Sequence, residues 1–115
     1  MTSVLRRLDG ERAAVAHFWS VEVANALLMS EKRGRLSPER TSEAITAVNA
    51  LNVAHEPVPD ASRLNEIIEL ARSERLTVYD ASYLAIAIRL RIAIASLDSD
   101  LCAAARRRAL TVIGG

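Results

Sequence analysis

The sequence predicts an α/β domain with a mainly parallel sheet and helices on both faces. Apolar helical stretches alternate along the chain with short apolar runs, which is the pattern of helices returning the chain to a common sheet. Residues 92–97 (IAIASL) are apolar without strict alternation, as a strand buried on both faces requires. Half of the 115 residues are hydrophobic, with only three Pro and four Gly, so there is enough apolar surface for one real core and too short a chain for two.

Each element has its own signal. Residues 2–9 (TSVLRRLD) place Val4, Leu5 and Leu8 on one helical face before Gly10, and read as the end of a helix. Residues 12–18 are a short Ala/Val segment suited to a strand. From Trp19 to Arg33 the pattern is helical and richly apolar, closing on basic residues and Gly34. Ser37 is placed to cap the next helix, with Pro38 at its first position and a stripe of Ala44, Ala47, Val48 and Leu51. Residues 53–58 (VAHEPV), with Pro57 and Pro59 at their end, suit an edge or terminal strand followed by a turn. Asp60 then caps a helix with Leu64, Ile67, Ile68 and Ala71 on one face, ending over residues 72–75. Residues 81–90 are apolar almost all round, the mark of a buried helix. After the 92–97 strand, Ser99 is placed to cap a last helix over 100–108, with Leu101, Ala104 and Ala105 inward and Arg106, Arg107 and Arg108 outward. The β-branched tail LTVI closes the chain as a strand.

Composition excludes several classes. Fifteen Lys and Arg against fourteen Asp and Glu leave net charge uninformative about an anionic partner. Cys102 is alone, so no internal disulfide forms. No apolar run reaches the ~18 residues of a membrane span, and there is no signal core, so a soluble, cytoplasmic protein with no membrane partner is expected. No phosphate-binding Gly loop or Ser-His-Asp pattern is present, and His17 and His55 lack metal-ligand spacing. Three acids remain in apolar surroundings: Glu22, Asp80 and Asp98, with Asp100 beside the last. Each has an ordinary reading as well: Glu22 on a wet stripe with Asn25 and Met29 or at the positive helix end, Asp80 as a helix cap, Asp98 and Asp100 as turn residues. Converging carboxylates repel unless a hard divalent cation lies between them, and Mg²⁺ suits such a set. The 106–108 arginine run is either a solvated face or a track for a phosphate backbone.

The segments WSVEVANALL, LTVYDASYLAIAIRL and ASLDSDL resemble the second, third and fourth acidic motifs of the PIN domain, in particular of VapC-type toxins. The resemblance covers nearly the whole chain. It implies a PIN-like three-layer fold in one domain and a Mg²⁺- or Mn²⁺-dependent endoribonuclease. It further implies a homodimer of a toxin-antitoxin pair, inhibited by a VapB-type antitoxin. By position, Glu22, Asp80 and Asp98 match the catalytic, metal-binding acids; Asp100 matches an additional acid of some members, and Ser96 a small polar residue beside the site. Family members open with an apolar strand ending in a first Asp, and nothing here matches it, Asp9 included. The expectation is therefore a domain whose N-terminal strand is missing, with a reading frame extending upstream by roughly 20 residues, the length of one strand and a short helix. The alternative is a catalytically inactive PIN-like module that retains antitoxin or dimer contacts.

Overall fold

The structure is a computed structural model that describes residues 4–6 and 13–113. In chain order it contains β1 (Val4–Arg6), β2 (Ala14–Val15), α1 (Trp19–Lys32), α2 (Pro38–Asn49), β3 (Ala54–His55), α3 (Ala61–Glu74), α4 (Val78–Leu90), β4 (Ala93–Ala95), α5 (Ser99–Arg107) and β5 (Val112–Ile113). The fold is mixed α/β, with five short strands in the order β3-β2-β1-β4-β5.

The strand directions qualify the expectation of a mainly parallel sheet. Strands β2 and β3 pair in parallel, as do β4 and β5, while β1 is antiparallel to both β2 and β4. Four strands therefore point the same way, and the central one is reversed.

That central strand corrects two expectations. Residues 2–9 were expected to end a helix, yet Val4, Leu5 and Arg6 pair with Ala95, Ile94 and Ala93 of β4. The slot expected to be empty is thus filled. An empty centre would leave the facing N–H and C=O groups of β2 and β4 unpaired, a larger penalty than a three-residue segment loses by giving up helical spacing. Gly10 and Asp9 lie outside the described residues.

Packing follows the apolar pattern most closely in the second half of the chain. Helix α4 packs on β1 and β4, α3 lies along α4, and α5 sits against α4 and β5. Tyr83, Leu84, Ile94, Leu101 and Val15 are fully enclosed, and burial of each large aliphatic side chain contributes roughly 1.5–3 kcal/mol. The expected caps form at Ser37, which accepts from Arg40 N–H at 3.1 Å, and at Asp60, which accepts from Arg63 N–H at 2.9 Å. Helix α1 departs from its reading as a richly buried element: Trp19 alone among its residues is buried, and Val21 is 73% exposed. Helix α2, which pairs with α1, buries no residue completely.

Candidate functional site

The co-directed strands determine the end of the sheet at which the acids lie. Strand β2 ends at Val15, and the chain turns through His17 and Phe18 into α1, whose first turn carries Glu22. Strand β4 ends at Ala95 and continues through Ser96 and Leu97 to Asp98. These two strands flank β1, so Glu22 and Asp98 both lie beyond carboxyl ends on either side of the sheet's centre, the crevice where open α/β sheets hold ligands. Asp80 comes from the first turn of α4, the helix that leads into β4.

Asp80 feels the charges of the other two acids. Asp80 is held above the usual carboxylate range, chiefly by burial and then by the negative charges of Asp98 and Glu22, with a hydrogen bond from Thr77 offsetting part of the effect. Asp100 is exposed in the first turn of α5 and is not among the principal groups acting on Asp80.

Each acid is also fixed locally. Tyr83 donates its hydroxyl to Glu22 Oε1 at 2.7 Å, tying α1 to α4. Burial and this bond to a carboxylate, with the nearby charges of Glu22 and Asp80, push the Tyr83 phenol far above its ordinary pKa, so it stays a donor. Asp80 is not the helix cap: Thr77 occupies that position, its Oγ1 accepting from Asp80 N–H at 3.1 Å, which leaves Asp80 at the third position of the first turn. Asp98 caps α5, in place of the expected Ser99, accepting from Leu101 N–H with Oδ1 at 2.9 Å. Ser96 is buried and its Oγ accepts from Asp98 N–H at 3.0 Å, so it holds the turn that presents Asp98. Cys102 is the small core residue it was expected to be, its thiol donating to the Ser96 carbonyl at 3.4 Å.

Sequence reasoning missed Tyr83 and Thr77. A T-x-x-D spacing ahead of an apolar run signals the second, since it is the pattern of a helix-capping box; the first had no signal, because Tyr83 meets Glu22 only through the fold. The arginine run is largely committed to structure. Glu74, at the end of α3, accepts from Arg107 Nε and Nη2 at 3.0 and 2.7 Å and from Arg108 Nε at 3.0 Å. Those two arginines hold the carboxyl of Glu74 below its ordinary range and pin the end of α5 to α3.

As to a cation, among the described residues no group of three or more His, Cys, Asp or Glu side chains is drawn together tightly enough to enclose one. The acids whose charges act on Asp80 offer hard carboxylate oxygens, and the bonds to Tyr83 and Leu101 each engage one oxygen of Glu22 and Asp98. Carboxylate oxygens are the donor type that hard cations such as Mg²⁺ take. A groove of about 1080 Å³ between the β3–α3 connection, α3 and α4 contains none of Glu22, Asp80 and Asp98. On its rim Glu56 and Arg89 pair at 2.5 Å.

No family profile matches the sequence, and no curated protein does. Among solved structures the chain is similar to that described as the crystal structure of PAE2754 from Pyrobaculum aerophilum, with a TM-score of 0.65 and 27% identity over 79% of this chain and 64% of that one. The chain thus spans less than two thirds of that protein. No helix among the described residues is long and apolar enough to cross a membrane.

Proposed function

We propose that this chain is a PIN-like, VapC-type endoribonuclease that hydrolyses RNA phosphodiester bonds with Mg²⁺ or Mn²⁺. One observation carries the reading. Asp80, Asp98 and Glu22, from three separate segments, lie close enough beyond the carboxyl ends of β2 and β4 for the charges of Asp98 and Glu22 to raise the pKa of Asp80. Mutually repelling acids at that crevice weaken the fold unless they serve a cation. Bound there, a divalent ion would supply an activated water and charge neutralisation at the phosphate. Asp80 and Asp98 would hold it, with Glu22 oriented by Tyr83 and Asp98 by Ser96. In this reading the helices and sheet form the three layers of the family, the protein works in the cytoplasm as a homodimer, and a VapB-type antitoxin restrains it.

The catalytically inactive binding module is favoured by a different observation. Because β1 is reversed, its first residue, Val4, pairs at the carboxyl end of β4. The strand therefore runs away from the acids and cannot end in a fourth one. The two readings are separated by incubating the protein with a labelled single-stranded RNA in Mg²⁺ and in EDTA. Cleavage that requires Mg²⁺ and falls to background in Asp80→Asn and Asp98→Asn supports the nuclease; cleavage that persists in both variants refutes the assignment, and no cleavage by the native chain leaves the binding module.

A further inference from the structure

The chain holds one Phe, one Trp, two Tyr and two His, and four of these rings, His17, Phe18, Tyr79 and Tyr83, are joined by contacts that lead to Glu22. Phe18 meets His17 edge-on at 5.1 Å, Tyr79 at 5.2 Å and Tyr83 at 5.5 Å, and Trp19 meets His55 at 6.1 Å. Two rings of the row are accounted for by packing: Tyr83 is buried and bonded to Glu22, and Phe18 is half-buried between α1 and α4. Tyr79 is not. It precedes Asp80 directly, yet the residue is 62% exposed.

The contact between Tyr79 and Phe18 has an interplanar angle of 78°. An edge-to-face contact covers at most one face of a ring, whichever partner presents its edge, so Phe18 leaves at least one face of Tyr79 uncovered. The same contact restrains the ring, reducing the entropy lost when a second flat group settles on it. The residues that precede the other two acids, Val21 and Leu97, are also apolar and are 73% and 68% exposed. The Tyr79 ring is tied to the acids through Phe18, which also meets Tyr83, the residue bonded to Glu22, so an exposed aromatic face lies at the edge of the acid group.

We propose that Tyr79, supported by Phe18, is a stacking subsite for a nucleobase of single-stranded nucleic acid, and that it positions the strand whose phosphate lies at Asp80 and Asp98. This rests on the nuclease reading and adds to it a residue that positions the strand: a base within a duplex is already stacked on its neighbours, whereas one in a single strand is free to take an aromatic platform. Every base has such a face, so the subsite selects strandedness rather than sequence.

The test uses a single-stranded hexamer with an uncharged methylphosphonate backbone and its fully abasic counterpart, titrated into the full chain in EDTA and followed by NMR. With no backbone charge, the acids neither repel the probe strongly nor cleave it. The native protein should bind the base-bearing hexamer at least about tenfold more tightly than the abasic one, the scale of one base–aromatic stack. Tyr79→Phe should keep that preference and Tyr79→Ala should abolish it. Equal affinity for the two probes, absence of binding, a preference that survives in Tyr79→Ala, or an equal loss for both probes in Tyr79→Ala each overturns the proposal. A parallel assay of Mg²⁺-dependent cleavage of ordinary RNA separates the two readings: cleavage without base preference removes the stacking subsite alone, and base preference without cleavage removes the nuclease alone.

Discussion

The hydrogen bond between Tyr83 and Glu22 yields the sharpest stability prediction, because it separates an acid kept for structure from one kept for a cation. Tyr83 is buried, and its hydroxyl lies 2.7 Å from Glu22 Oε1. In Glu22→Ala the hydroxyl loses its acceptor, which costs about 1–3 kcal/mol, reduced by the relief of repulsion on Asp80. A net loss of about 1–2 kcal/mol is expected, which lowers Tm by roughly 4–8 °C in a domain of this size. Glu22→Gln keeps an oxygen at the same atom and removes the charge. Its loss of charge assistance and its relief of repulsion offset each other, so metal-free stability should be unchanged or raised, within about 0.5 kcal/mol. Tyr83→Phe should lose about 1 kcal/mol, and the cycle with Glu22→Ala should show a coupling of about 1 kcal/mol. Thermal unfolding followed by circular dichroism, with and without Mg²⁺, measures all of these. Added metal should stabilise the native protein more than Glu22→Gln. If Glu22→Gln proves as damaging as Glu22→Ala, the charge itself is structural, and the account of Glu22 as a cation ligand fails.

Two further predictions concern pH. The Asp80 pKa is raised on folding, so ionised Asp80 disfavours the fold, and its contribution improves as pH falls through the folded pKa towards the ordinary carboxylate value of about 4. Asp80→Asn should therefore raise metal-free stability in neutral urea titrations, and that gain should shrink to nothing at low pH; a gain independent of pH would contradict it. Glu74 is shifted the other way by Arg107 and Arg108, so its stabilisation is present above the ordinary carboxylate range and is lost as pH falls through its lowered folded value. Glu74→Gln should weaken the protein at neutral pH and match the native chain in acid, whereas equal stability at pH 7 would show the pairs to be solvated and inert.

Much of this architecture is legible from local chemistry. Ser37 before Pro38 and Asp60 before an apolar stripe form the caps their spacing implies, because capping depends on three or four adjacent residues. The alternating helices and apolar runs locate β2, β3, β4 and β5 for the same reason. What escapes is set by distant partners. Val4–Arg6 has helical spacing, yet two flanking strands need its backbone groups more than a helix does. Helices α3 and α4 end on Arg75 and Arg91 with φ of 56° and 55°, left-handed positions that carry no glycine to announce them. Of the site, Glu22, Asp80 and Asp98 are legible as acids in apolar surroundings and Thr77 as a cap from its T-x-x-D spacing, whereas the Tyr83 bond, the cap at Asp98 and the peripheral place of Asp100 depend on geometry that no spacing encodes.

The central claim is that Glu22, Asp80 and Asp98 form one divalent-cation site. Titration of the isotopically labelled protein with Mn²⁺, read as paramagnetic broadening, tests it without requiring catalysis. Broadening should begin at Glu22, Asp80 and Asp98, reach Tyr83 and Ser96, be displaced by excess Mg²⁺, and vanish from these residues in the Asp80→Asn, Asp98→Asn double variant. Broadening that starts elsewhere, or that persists unchanged in the double variant, would contradict the account.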